Sequence, residues 1–220
     1  MSNGATAGTA LFDLDGTLTD PAEGITACIR HGLAAVDVDA DKHGPLERFI
    51  GPPLNDSFAG LGLTPDQVDE AITAYRERFA IVGMFENEVY DGIPELLRGL
   101  TEARWTLAVA TSKPDIFAVK ILEHFELRSF FEVVAGATMT GTRRTKVDVL
   151  KHALAELGPR TSADRMIMIG DRRLDIDAAH ACGIGSIGVL YGYGSPEELI
   201  PANPSALANS PEEVGTLLGL

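Results

Sequence analysis

The chain has 220 residues, 45% hydrophobic and 23% charged, with a formal net charge of -14 and no basic run. That length supports one large domain or two small ones, and the acidity argues against binding DNA or RNA polymers through their phosphates. No apolar stretch is long enough to cross a bilayer, and two cysteines are too few for a disulfide framework.

The opening MSNGATAG lacks the charged and apolar regions of a signal peptide and reads as a flexible lead-in, so a cytoplasmic, reduced setting is expected. A first strand follows in TALFDLD, and in a strand Asp13 and Asp15 would share one face. Next comes a long region without a convincing strand, from Pro21 to about Phe85. Ile25, Cys28, Ile29, Leu33 and Val36 form one helical stripe there; Val68, Ile72, Tyr75, Phe79 and Val82 form another. The spacing predicts a helical domain over 21–85, inserted into a larger domain made of 1–20 and 86–220.

Beyond it, PELLRGLTEAR predicts a helix with Pro94 at its first position. Apolar runs then fall at 106–112, 130–137, 165–171 and 185–191. Between the second and third of these, KVDVLKHALAEL places Val147, Leu150, Leu154 and Leu157 on one face and stops at Gly158-Pro159. Near-continuous apolar strands separated by helices predict a doubly wound α/β domain with a parallel sheet covered on both faces. Cys28 and Cys182 read as small core residues.

In open α/β sheets, ligands bind beyond the carboxyl ends of the strands. Asp13 and Asp15 end the first strand, Thr111 and Ser112 the second, and Asp171 follows MIMIG with Asp175 one turn on. Lys146 opens the helix after the intervening strand. Each group alone has a structural reading. Asp15-Gly16 is a common turn, Thr111-Ser112 could cap a helix near Pro114, Lys146 could be solvated, and Asp171 could be a cap. A cation in a first helical turn opposes the macrodipole, however, unless an anion sits there. Four coincidences on one rim are collectively improbable.

Oxygen-only ligands suit a hard octahedral cation, with Mg2+ the natural guest. The hydroxyls of Thr111 and Ser112, the backbone N–H groups around Asp15-Gly16, and Lys146 can donate to phosphate oxygens. Together they point to phosphoryl transfer through an aspartyl-phosphate.

The segments DLDGTLTD, VATSKP, TRRTK and GDRRLD resemble the four motifs of the haloacid dehalogenase superfamily of phosphatases, in the phosphoglycolate-phosphatase and 5'-nucleotidase-like branch. The resemblance implies a Rossmann-like core with an inserted α-helical cap. It implies Asp13 as nucleophile, Asp15 as general acid and later base, and Thr111 with Lys146 holding the phosphoryl group. It also implies Mg2+ on Asp13, the Asp15 backbone carbonyl and Asp171, supported by Asp175. A dehalogenase would lack the second aspartate.

Specificity is expected from the cap. The stiff Gly51-Pro52-Pro53 loop could present Arg48, Phe49 or Asn55, or it could be a plain connector with Phe49 and Leu54 buried. Phe49 and Phe58 are candidate surfaces for a nucleobase, and Arg30 and Arg48 candidate cations for a small carboxylate. The reading favours nucleoside 5'-monophosphates. The alternative is phosphoglycolate or another small phosphorylated metabolite, and beyond that a phosphomutase or a non-catalytic regulator. Oligomeric state is left open.

Overall fold

Every apolar run of the larger domain becomes a strand of one parallel sheet, and chain order decides what meets at its rim. The computed structural model describes residues 6–158 and 163–220. Residues 1–5 of the lead-in, and Pro159 at the expected helix stop, lie outside them. The chain divides into two units: Met1–Thr19 with Val89–Leu220, and Asp20–Glu88.

The strands are β1 (Thr9–Phe12), β2 (Thr19–Asp20), β3 (Glu88–Val89), β4 (Thr106–Pro114), β5 (Val133–Ala137), β6 (Met166–Gly170), β7 (Gly185–Val189) and β8 (Ala206–Ala208). The helices are α1 (Ala22–Ala35), α2 (Leu54–Ala59), α3 (Pro65–Arg78), α4 (Ile93–Glu102), α5 (Asp115–His124), α6 (Lys146–Leu157), α7 (Arg173–Cys182), α8 (Pro196–Leu199) and α9 (Pro211–Leu217).

Six strands form the main sheet in the order β5-β4-β1-β6-β7-β8, every pairing parallel. The short strands β2 and β3 pair with each other. From β1 the chain winds outward through β4 to β5, then returns beside β1 at β6 and winds the other way. The order reverses around β1, which is where a doubly wound sheet opens its ligand crevice.

Leu11, Ala108, Ala110 and Met168 supply one apolar face, packed under Val149, Leu150, Ala153, Ala178 and Ala179 of α6 and α7. Small alanines on the sheet let these helices sit close. Helices α4 and α5 pack on β4, with Leu97, Leu100, Ile121 and Leu122 fully buried. Cys182 is partly buried against the α6–α7 core, and Cys28 is fully buried in the other unit.

Three sequence expectations shift. The first strand ends at Phe12, so Asp13 and Asp15 lie in the turn beyond it rather than on one strand face. The run at 130–137 loses 130–132, because Arg128–Phe130 closes a tight 3-10 turn before β5 begins. Pro94 is the second residue of α4, not the first.

The smaller unit is helical. Ile25, Cys28, Ile29 and Leu33 of α1 are buried, as are Val68, Ile72 and Tyr75 of α3 and Phe79 just beyond it. Helices α1 and α3 pack together. Val36, only half-buried, is the cap residue after α1. Val82 departs from the expected stripe and is 45% exposed. From Phe79 to Gly83 the helix widens into a π turn, which rotates the stripe so that Gly83 and Met84 take the inward positions. Arg78 closes this end with two hydrogen bonds to Glu86, at 2.6 and 2.9 Å. Among the described residues, no helix is long and apolar enough to cross a membrane.

Candidate active site

Asp13 leaves β1 while its N–H still bonds the Ile169 carbonyl of β6 at 2.9 Å, so the ladder aims it at the rim. Its Oδ1 accepts from the Leu14 N–H at 2.7 Å, and its Oδ2 lies 2.8 Å from the Lys146 Nζ. The same ammonium is 2.7 Å from Asp175 Oδ1. Lys146 is the first residue of α6 and is buried. Burial works against its charge, but Asp13 and Asp175 together hold its pKa above the usual lysine value.

Asp171 is buried at the end of β6. Its Oδ2 accepts from the Tyr193 N–H at 2.9 Å and its Oδ1 from the Thr17 hydroxyl at 3.3 Å. Burial, then the charges of Asp175 and Asp13, push its pKa up to about 8. Asp175 is fully buried one turn into α7, its Oδ2 accepting from the Arg172 N–H at 3.0 Å. Burial raises its pKa too, against the pull of Lys146. Asp171 does not keep the cap role its position alone suggested, since Arg172 caps α7.

Carboxylate oxygens of Asp13, Asp171 and Asp175 all lie within 4.8 Å of one another. Asp15 stands apart from this trio, its Oδ2 paired with the Lys113 Nζ at 2.8 Å. Burial raises the Asp15 pKa despite that lysine. Four carboxyl groups face two ammoniums in this buried cluster, more acidic groups than the lysines can pair. A divalent cation on the trio fits that imbalance.

Thr111 is buried, its hydroxyl accepting from the Lys113 N–H at 3.2 Å, while Ser112 is exposed. Neither caps α5, whose cap is Pro114. Gly16 adopts φ +81°, and a Cβ there would fall into the Asp171 carboxylate. Its N–H already donates to the Thr19 carbonyl at 2.8 Å, so the amide expected to meet a phosphate is engaged in the turn instead.

Lys113, Thr17, Tyr191 and Tyr193 were not among the expected residues. Lys113 had a signal: it lies two positions after Thr111, and alternation puts both on one face if the strand runs to Pro114. Tyr191 donates its hydroxyl to the Thr17 carbonyl at 3.0 Å, fixing the turn that holds Asp171.

The expected specificity residues lie in the helical unit. Phe49 and Phe58 are buried within it, and Phe58 packs beside Gly32. The loop is therefore closer to the connector reading than to a nucleobase platform, although Leu54 is only half-buried. The Arg48 guanidinium lies 4.7 Å above the centre of the Phe49 ring, Arg30 is ion-paired with Asp41, and Asn55 is exposed on α2.

The open parallel sheet thus carries an aspartate trio and two buried lysines at its carboxyl rim. The family model of haloacid dehalogenase-like hydrolases matches residues 10–189, and the chain belongs to that family as one of its phosphatases. A 5'-nucleotidase of Pseudomonas aeruginosa is 45% identical over 196 residues, 89% of this chain and 88% of that protein. Tyrosine-protein kinase PtkA of Mycobacterium tuberculosis is 44% identical over 184 residues, 84% of this chain but 62% of that protein. A solved structure described as a predicted phosphatase from Clostridium acetobutylicum superposes with a TM-score of 0.90 at 42% identity, covering 98% of this chain and 100% of that one.

Proposed function

We propose that the chain is a Mg2+-dependent phosphomonoester hydrolase that forms an aspartyl-phosphate on Asp13, with nucleoside 5'-monophosphates as substrates. The observation that carries the reading is the buried Lys146 ammonium, held between Asp13 and Asp175 at the start of a helix. A cation there attracts a phosphoryl dianion to the one carboxylate whose two oxygens are oriented by Leu14 and Lys146.

An oxygen of Asp13 attacks phosphorus as the ester P–O bond breaks. The electron pair stays on the leaving oxygen, which takes a proton from Asp15. Water then attacks phosphorus and gives a proton back to Asp15, the bond to Asp13 breaks, and phosphate departs. Lys146 and Thr111 hold the phosphoryl oxygens, with Ser112 at the rim beside them. Asp13, Asp171, Asp175 and the Asp15 backbone carbonyl would hold Mg2+, which when bound offsets the repulsion between carboxylate and phosphoryl oxygens.

The identity to a protein named 5'-nucleotidase supports the substrate class. Within the helical unit, Arg30, Arg48 and Asn55 are the candidates for reading the leaving group, with Phe49 supporting Arg48 from below. The test is phosphate release from nucleoside monophosphates, sugar phosphates and phosphoglycolate, with Mg2+ and with a chelator. Preferred turnover of nucleoside monophosphates that stops with the chelator is the expected result. Dominant turnover of phosphoglycolate would overturn the substrate assignment.

A further inference from the structure

Strand β4 breaks its register with β5 at the site. Ala110 pairs with Ala135 and Pro114 with Ala137, so four steps along β4 match two along β5. The extra residues are the stretch that carries Thr111, Ser112 and Lys113, and irregularities of this kind re-aim side chains beside active sites. Gly136 of β5 makes room, since a Cβ there would fall against the Lys113 carbonyl and the Asp115 amide. The distortion thus delivers Lys113, a residue normally left in water, into the interior with its side chain 6% exposed.

What it delivers Lys113 to is Asp15 Oδ2, at 2.8 Å. The other oxygen of that carboxylate, Oδ1, is buried with no hydrogen-bond partner among the described residues. The large majority of buried side-chain polar atoms have a partner, so an open carboxylate oxygen calls for an explanation. One oxygen tethered and the other left open is the arrangement of a group held for transfer.

We infer that Lys113 is a positioning residue that fixes Asp15 for delivering a proton to the leaving oxygen. The inference rests on the assignment of Asp15 as proton donor made above. Lys146 serves the opposite end of the reaction, at Asp13, so the two lysines divide the work. Losing Lys113 frees the Asp15 carboxyl to rotate, and departure of a poor leaving group slows. A good leaving group, which departs without a proton, is little affected.

The experiment compares kcat/KM for phenyl phosphate and p-nitrophenyl phosphate in the wild type, Asp15→Asn, Lys113→Met and Lys113→Gln. Phenoxide is the poorer leaving group, and kcat/KM covers the steps through its departure. The ratio of the two constants within one preparation is independent of how much of it is folded. The phenyl to p-nitrophenyl ratio is expected to fall about tenfold or more in Asp15→Asn and in both Lys113 variants. A ratio within about twofold of wild type in both Lys113 variants, alongside a fall in Asp15→Asn, overturns the positioning role and leaves Lys113 a structural or phosphoryl contact. An unchanged ratio in Asp15→Asn overturns the proton-donor assignment itself, and the inference with it.

Discussion

Lys146 Nζ lies 2.8 Å from Asp13 Oδ2 inside the sheet rim, and α6 begins at that lysine. The positive end of the helix dipole and the ammonium therefore face the same spot, an arrangement that costs stability unless an anion occupies it. Lys146→Met should lower kcat by about 100-fold or more. Raising Mg2+ should not restore it, because the lost charge acts on phosphoryl oxygens. A Mg2+ titration of the variant checks this; recovery to near wild-type rate would place Lys146 outside phosphate binding.

Asp171 should behave differently. It contributes a carboxylate to the trio and is braced by Tyr193 and Thr17. Asp171→Asn should raise the half-saturating Mg2+ concentration at least about tenfold, with excess metal recovering part of the rate. The same titration, run beside Lys146→Met, separates metal loss from phosphate loss.

Gly136→Ala tests the distorted strand. The added methyl meets backbone at Lys113 of β4 and Asp115 of α5, which cannot rotate away as a side chain would. The expected cost is about 1–3 kcal/mol of stability, read by denaturant unfolding, together with a loss of activity from displaced Thr111 and Lys113.

Phe49→Ala should act first on the fold of the helical unit. The ring is buried, so truncation is expected to cost about 3–5 kcal/mol in denaturant unfolding. Arg48→Ala leaves the ring in place and should cost less than about 1 kcal/mol. A Phe49→Ala protein of wild-type stability would contradict the buried placement.

The Arg78–Glu86 pair gives a pH dependence. The hydrogen bonds from Arg78 hold the Glu86 carboxyl below the usual glutamate value of 4.5. Its stabilisation is therefore fully present above pH 4.5 and is lost as pH falls through the lower folded value. The stability gap between wild type and Glu86→Gln should accordingly be wide at neutral pH and close in acid. A gap that widens on acidification would reverse the sign.

The parallel sheet was legible in the sequence because its strands are short apolar runs with helical stretches between them. Chain order then assigns Asp13, Asp171, Asp175 and Lys146 to one rim without any knowledge of side-chain contacts. Lys113 escaped because it sits beyond the last apolar residue of its strand, where a lysine reads as solvated. Only the register break shows that the strand continues inward. Phe49 stayed open between a buried connector residue and a nucleobase surface for another reason. It belongs to a four-residue 3-10 turn, Leu46–Phe49, too short to carry a period. Val82 misled through the reverse error, a 3.6-residue period extended across a π turn. The edge strand β8 and helix α9 were too short to rise above the loop signals around them.

The central claim is that Asp13 forms the bond to phosphorus. Phosphate release by Asp13→Asn tests it most directly, since an amide keeps the shape of the site but cannot form the acyl-phosphate. With wild-type unfolding behaviour confirmed, the account predicts a fall in kcat of about 1,000-fold or more. Retention of about a tenth of the wild-type rate would contradict it.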